Sequence, residues 1–345
     1  MNEEQAVKIG SRPQMFLDDY IVGEMRGLER SLGTPAKLEQ PVLQAEMPWE
    51  AGRIVYPEPV LLEDGVLIYY NAAHDQWVLD GPKPADFDGM ISLCMALSSD
   101  GLHWIRPELT DYTCGTFAAS NIVYSFWDQP RLGRLSGVSI YLDKKESDEA
   151  RRYKMFYNRG NTSTFEPETD REGPSVAWSL DGMHWTQGET NPVLSGFNSD
   201  TKQCLVRDRR GKRWIAFVRR WEKPRDGRPG WPWYGGRIRV VARTESEDFL
   251  HWSEPEVVLR READDPANCD FYGLQVRSHN GLLLGWLWTA DWAEEAADGR
   301  EPGVHGPMRA QLVVSRDWGR TWTRVSRRPF LDVGGEGAFD AGQVY

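Results

Sequence analysis

Along this chain short apolar runs of four to six residues are separated by polar clusters rich in Gly, Asp and Asn. No long stretch keeps the three-and-four spacing of an amphipathic helix. The runs are β-branched and aromatic, so they predict strands. They fall into groups of three: 59–62, 66–71 and 91–96; 138–142, 153–157 and 175–178; 203–206, 214–218 and 238–242; 273–276, 282–287 and 310–314. Turn residues divide them, as at Glu63-Asp64-Gly65, Gly211 and Asn280-Gly281. Each group closes on the same signature: Ser98-Ser-Asp-Gly-Leu-His-Trp104, Ser179-Leu-Asp-Gly-Met-His-Trp185, Ser246-Glu-Asp-Phe-Leu-His-Trp252 and Ser315-Arg-Asp-Trp-Gly-Arg-Thr-Trp322. Ser and Asp side chains bond backbone amides in tight turns. The histidines inside these turns are read as structural, and the tryptophans are expected to be buried beneath them.

The signature tryptophans are 81, 67 and 70 residues apart, a period that marks a repeat architecture. A fourth strand is expected about seven residues after each Trp, at 191–194, 256–259 and 329–331. Four strands per unit, repeated radially, predict an all-β, five-bladed β-propeller. The chain is read as one domain, with blades beginning near residues 54, 135, 198, 268 and 336 and an N-terminal segment, 1–45, supplying a closing strand at Gln40–Leu43. Residues 337–345 read as the innermost strand of the last blade. That blade is then either completed by the N-terminal segment, through 15–22 and 28–32, or left incomplete because the chain is truncated; truncation is the favoured expectation.

Composition narrows the function. A formal charge of −11 argues against nucleic acid, which needs a basic surface. No apolar run of 18 residues appears, so no membrane helix is expected. The first ten residues carry two glutamates and no apolar core of a signal peptide. Cys94, Cys114, Cys204 and Cys269 have no metal-ligand spacing, so a reduced, cytoplasmic protein without metal or cofactor is expected. Sixteen tryptophans are many for 345 residues. A flat apolar face beside a hydrogen-bond donor suits sugar-binding clefts as well as a repeated structural role.

The innermost strands of a propeller line its funnel, and here they begin with acidic residues: Glu58 in blade 1, Asp200 in blade 3, Asp270 in blade 4, and Glu336 and Asp340 in blade 5. Blade 2 offers only Ser136-Gly-Val-Ser139. Carboxylates gathered in one cleft repel, which spreads their proton affinities. Glycoside cleavage uses that spread, with a protonated acid on one side of the bond and an ionised partner on the other. Glu58, Asp200, Asp270 and Glu336 are therefore the catalytic candidates, and Tyr272, Asp340, His74 and Arg219 the substrate-binding ones. Alternation along a strand requires that one of Arg219 and Arg220 face away from the funnel.

The repeat turn, Glu58-Pro59-Val60 and Asp270-Phe-Tyr-Gly273 resemble the five-bladed glycoside hydrolases of families 32 and 43. Leu135-Ser-Gly-Val-Ser139 is similar to a second-blade element of the invertases, and Phe16-Leu-Asp-Asp-Tyr20 to an uncharacterised bacterial group related to family 32. The resemblance implies a glycosidase acting on a furanoside or small oligosaccharide. It makes Glu58 the nucleophile or base, where those families carry Asp, and Asp200 the transition-state stabiliser. The general acid would be a blade 4 Glu; Asp270 stands there instead, and Glu336 is the other candidate. A sugar-binding propeller without activity is the first rival. A sialidase, suggested by the turn at Ser315–Trp322, is a lesser one, and a non-enzymatic protein-interaction propeller is the third.

Overall fold

A computed structural model describes residues 7, 9–11, 13–50, 53–74, 80, 90–125, 135–160, 172–199, 201–208, 212–292 and 306–344. Among them sixteen strands form four sheets, each four-stranded with its strands in chain order. Blade 1 holds β1 (Ile54–Leu61), β2 (Val66–His74), β3 (Met90–Ser98) and β4 (Ile122–Ser125); blade 2 holds β5 (Leu135–Leu142), β6 (Tyr153–Arg159), β7 (Gly173–Ser179) and β8 (Thr186–Gln187). Blade 3 holds β9 (Cys204–Asp208), β10 (Arg213–Glu222), β11 (Ile238–Ser246) and β12 (Glu256–Leu259); blade 4 holds β13 (Cys269–His279), β14 (Leu282–Asp291), β15 (Met308–Ser315) and β16 (Thr323–Arg324). The fold is an all-β propeller. Four blades are described rather than the five expected.

Neighbouring strands within a blade run antiparallel, as tight turns require. The β13–β14 turn shows why: Asn280 and Gly281 take φ of 48° and 87°, the mirror-image turn that matches strand twist. The outer strands come earlier than the spacing suggested. β8 and β16 follow their Trp directly, whereas Val193 and Leu331 make only short ladders, to Pro174 and Ala310. The span 256–259 is a strand as expected.

The repeated turns are built alike. Gly101 N–H donates to Ser98 Oγ at 2.8 Å, Leu102 and His103 N–H donate to Asp100 Oδ1 at 2.8 Å, and His103 Nδ1 meets Asp100 Oδ2 at 2.7 Å. Asp181 with His184 and Asp248 with His251 repeat this, and Thr321 replaces His in the fourth turn. Only Trp185 is buried; Trp104, Trp252 and Trp322 are half-buried. Trp104 packs on the apolar cluster of its own blade, whereas Trp185 and Trp252 reach sideways. Trp185 meets Tyr69 of blade 1 edge-on at 6.3 Å, and Trp252 meets Phe156 of blade 2 at 4.7 Å. These contacts fasten blade 2 to blade 1 and blade 3 to blade 2.

The chain divides into two compact units, residues 38–220 with 244–255, and residues 1–37, 221–243 and 256–345. In the first unit two apolar clusters flank blade 1: Leu67, Tyr69, Leu93 and Met95 pack with Val138, Ile140, Met155 and Tyr157, and Tyr70, Ala72, Cys94 and Ile122 pack with Trp49. Residues 40–43 form no strand, and Leu43 packs on blade 1. Buried Glu50 fixes that course, accepting from Tyr70 Oη at 2.6 Å and Arg106 Nε at 2.9 Å, while Arg106 also donates to Gln44 O at 2.6 Å. The closing strand expected at Gln40–Leu43 is therefore absent.

In the second unit neither 15–22, 28–32 nor 337–344 is a strand. The C-terminal run instead lies along the edge of β15, where Val344 N–H donates to Met308 O at 2.9 Å. The N-terminal segment is held by Asp18, which accepts from Arg316 Nε at 2.8 Å and Nη2 at 2.7 Å, while the Arg316 guanidinium lies 4.3 Å over Tyr20. The hydrogen bond from Arg316 leads the effects that draw the Asp18 carboxyl below its usual range. A lowered carboxyl stabilises above its ordinary titration range and loses that contribution as pH falls through the lowered value. Arg316→Ala should accordingly expose the first 37 residues to limited proteolysis at neutral pH, and the wild type should become equally sensitive on acidification. Equal cleavage rates for wild type and variant at neutral pH would refute this anchoring. All four cysteines are free and buried. Among the described residues no helix is long and apolar enough to cross a membrane.

Candidate functional site

Three innermost strands carry a bulge beside the residues singled out in the sequence. In β1 the register shifts between Val55 and Glu58, with Tyr56 at φ 57°. In β5 it shifts between Ser136 and Ser139, with Gly137 at φ 59°, and in β13 between Phe271 and Gly273, at Tyr272. A bulge re-aims the side chains next to it, which is why bulges gather at binding sites.

In the first unit these distortions bring Glu58 to Ser139 and Lys202. Glu58 lies opposite Tyr69 and is 3% exposed. It forms an ion pair with Lys202, and Ser139 Oγ approaches it at 3.4 Å. Lys202 Nζ also donates to Val138 O at 2.8 Å. The segment before β9 is pinned to blade 2: Gln203 N–H donates to Gly137 O at 2.8 Å, and Leu205 N–H to Ser139 Oγ at 3.0 Å. A Cβ at Gly137 would fall inside the Thr201 carbonyl oxygen, so the position demands glycine for space as well as for φ. Ser199 N–H donates to Asn158 Oδ1 at 2.9 Å, and Ser199 Oγ accepts from Arg219 N–H at 2.9 Å.

Several polar atoms here are buried and, among the described residues, unpaired: both amide atoms of Asn71, Ser136 Oγ and Asn158 Nδ2. Asn71 and Asn158 hold matching positions, each after a Tyr near the end of the second strand of its blade, opposite Val55 and Ser136 of the innermost strand. Buried polar groups ordinarily have partners, so this concentration asks for one.

The second unit holds another cluster. Asp270, fully buried, accepts from Arg239 Nη1 at 2.8 Å, Arg239 N–H at 3.2 Å, Trp231 Nε1 at 2.9 Å and Trp292 Nε1 at 3.2 Å. Burial pushes its carboxyl up, against the pull of Arg239. The Arg239 guanidinium lies 4.7 Å from the Trp221 ring, 4.8 Å from Tyr234, 5.3 Å from Trp292 and 5.5 Å from Tyr272. Half-buried Tyr272 meets Trp292 edge-on at 5.9 Å.

The structure thus places Glu58 and Arg219 in the first unit and Asp270 and Tyr272 in the second. Arg219 is buried within β10, while the Arg220 guanidinium stacks 4.2 Å over Phe197 and burial lowers its proton affinity. Glu336 is exposed in a turn, outside any strand. Asp340 pairs with Lys37, whose hydrogen bond draws its carboxyl down. His74 ends β2 opposite Met90. Asp200 lies outside the described residues. Among those residues no group of three His, Cys, Asp or Glu could hold a metal ion.

Lys202, Arg239, Asn71 and Asn158 were not singled out in the sequence. Arg239 carried a signal, a lone charge in the apolar run Ile238-Arg-Val-Val-Ala242, as did the repeated Tyr70-Asn71 and Tyr157-Asn158. Lys202, in a polar stretch, carried none.

Solved structures give the chain its context. It resembles an N-acetylgalactosamine deacetylase from F. plautii, solved with blood group B trisaccharide, at 15% identity and TM-score 0.54 over 89% of this chain and 78% of that one. The resemblance is one of fold. A structure from family 130, described as mannoside phosphorylases containing glycoside hydrolases that target β-1,2-mannosidic linkages in Candida mannan, matches at 15% identity and TM-score 0.53 over 93% of this chain and 88% of that one. A glycosyl hydrolase from Bacteroides ovatus matches at 15% identity and TM-score 0.51 over 87% and 81%. No protein-family model and no curated protein sequence matches the chain.

Proposed function

We propose that this propeller is a glycoside hydrolase acting on a furanoside or small oligosaccharide, with Glu58 as its nucleophile or base. The observation that carries the reading is the convergence on Glu58 of two bulged strands and the segment before β9, beside unpaired polar atoms of Asn71, Ser136 and Asn158. Amide and hydroxyl groups left without protein partners suit a ligand made of hydroxyls. The propellers it resembles include carbohydrate-processing enzymes, which supports the same class.

Asp200 is kept as the proposed partner of Glu58, in the stabilising role that the resemblance implies. Asp270 is assigned a supporting role, since four donors already point at its oxygens and a proton there would displace them. It orients Arg239 and, through it, an aromatic wall that includes Tyr272 and Trp292. The five-bladed form belongs to this proposal, and a crystal structure of the protein tests it by the number of blades around the axis.

A second reading, a sugar-binding propeller without turnover, is favoured by the ion pair that covers Glu58. Assay of wild type and Glu58→Gln on aryl-furanosides, with calorimetric binding of the parent sugars, separates the two. Loss of a base or nucleophile should lower turnover by about 10²–10⁴-fold with the melting temperature unchanged. Full activity in Glu58→Gln removes Glu58 from the mechanism. Binding by a wild type that shows no turnover selects the second reading.

A further inference from the structure

We infer that the cleft between the outer strands of blades 3 and 4 is a separate binding site for a neutral saccharide unit. The cleft has a volume of about 310 Å³, and its walls include Val258, Arg260 and Glu262 from the side of β12 and Trp322, Arg324 and Arg327 from the side of β16. That volume lies at the small end of ligand pockets, about 300–1,000 Å³, so it suits a sugar unit and not a folded segment. All of these residues belong to the second unit and Glu58 to the first, so the inference does not rest on the reading of Glu58.

The walls are fixed in advance. Trp322 is half-buried, and its Nε1 donates to Gly319 O at 3.1 Å, which holds the ring in its turn. Behind it lies Gly285 of β14, where a Cβ would come within 3.0 Å of Trp322 Cζ3. The missing side chain lets the indole lie back against blade 4, as a flat apolar face of the kind that suits a sugar ring. Arg324 donates from Nε and Nη2 to Gln311 Oε1 at 3.0 and 2.6 Å, and from Nη1 to Asp265 Oδ2 at 2.7 Å. Arg327 Nη1 donates to Asp265 Oδ1 at 2.8 Å, and its Nη2 pairs with Glu262. Arg260 Nε donates to Glu222 Oε1 at 2.6 Å.

These partners decide the class of ligand. Three guanidinium groups meet three carboxylates, those of Glu222, Glu262 and Asp265, so the cleft offers directed donors and acceptors without an excess of charge. Attraction of an anion needs such an excess, and the chain as a whole carries −11. A ligand made of hydroxyls needs only the directed groups. Arg260 is 31% exposed, and no partner among the described residues takes its two terminal NH₂ groups. They form a planar fork that can donate to neighbouring hydroxyl oxygens, while exposed Glu262 can accept from a hydroxyl. Fastening blade 4 to blade 3 accounts for Arg324, Arg327 and Asp265. It does not call for a cavity, nor for Arg260 and an indole along its walls.

Binding read at the cleft itself tests this. In chain labelled with fluorotryptophan, the Trp322 signal is identified by its loss in Trp322→Phe and followed by fluorine NMR. The probes are methyl glycosides of pentoses and hexoses in furanose and pyranose forms, with sodium sulfate as the anion, each raised to about 100 mM, where even weak sites fill. At least one neutral glycoside should move the Trp322 signal saturably, and sulfate at matched ionic strength should leave it in place. Arg260→Met should weaken that response by about tenfold or more, as loss of a charge-assisted hydrogen bond does. Arg260→Lys keeps a charge for Glu222 but cannot present two parallel donors, so it should weaken binding as well, and it stands in if the Met variant does not fold. A Trp322 signal that no glycoside moves, one that sulfate saturates, or equal responses in wild type and a folded Arg260 variant overturns the inference. Absent turnover with the Trp322 response intact would count against the glycosidase reading alone.

Discussion

Arg239→Met should lower the stability of the chain by about 3–5 kcal/mol, because it strands a fully buried carboxylate. Of its four donors Asp270 takes two from Arg239, the backbone N–H and Nη1, so the variant removes the guanidinium donor and the positive charge that faced the carboxylate, and leaves the indole N–H groups of Trp231 and Trp292 beside the backbone N–H. The methionine thioether offers no proton. A chemical denaturation curve gives the measurement. Combining the change with Asp270→Leu should recover part of the loss, since a buried pair removed whole leaves no lone charge. A single-variant loss below about 1 kcal/mol would show that Asp270 is neutral or reached by water, and would return it to consideration as a general acid.

Gly137→Ala is expected to be nearly as damaging, for a steric reason. Residue 137 sits at φ 59°, which costs an L-residue about 1–2 kcal/mol. Its Cβ would also displace the Thr201 carbonyl, adding about 1–3 kcal/mol of overpacking. The segment that must yield carries Lys202, so the variant should lose sugar binding and turnover even where it remains folded. Melting within about 0.5 kcal/mol of wild type would place the variant among ordinary surface changes and show that this contact is slack.

Much of the blade architecture was legible because it is local. The Ser-x-Asp turns bond within six residues, so their side chains and tryptophans are visible as a repeat wherever the strands themselves lie. What the sequence did not show was lateral. Trp252 packs on Phe156, nearly a hundred residues earlier, and nothing near Trp252 foretells a half-exposed indole. Closure failed for the same reason. Gln40–Leu43 looks like an outer strand, yet Glu50 and Arg106 draw the neighbouring chain onto blade 1.

At the site the acidic residues were legible and their counter-charges were not. Glu58 stands out beside two prolines, but its partner is 144 residues away in a run of polar residues. Asp270 and Arg239 are 31 residues apart, and the pairing depends on strands that sequence spacing does not align. The bulges at Tyr56, Gly137 and Tyr272 were hidden too, because only the glycine departs from an ordinary strand composition.

The path of the chain sets how this protein can be dissected. Residues 38–220 and 244–255 make one compact unit and the remainder the other, so the backbone passes between them four times. A contiguous fragment that holds the first unit whole, such as 38–255, also carries residues 221–243 of the second, and only the full chain holds the second whole. A product ending at residue 220 would omit the third and fourth strands of blade 3, and one beginning at 221 would omit the first and most of the second. Truncation is therefore the wrong tool for assigning roles to the two clusters. Point substitutions in the intact chain, read in each cluster separately, are the informative experiment.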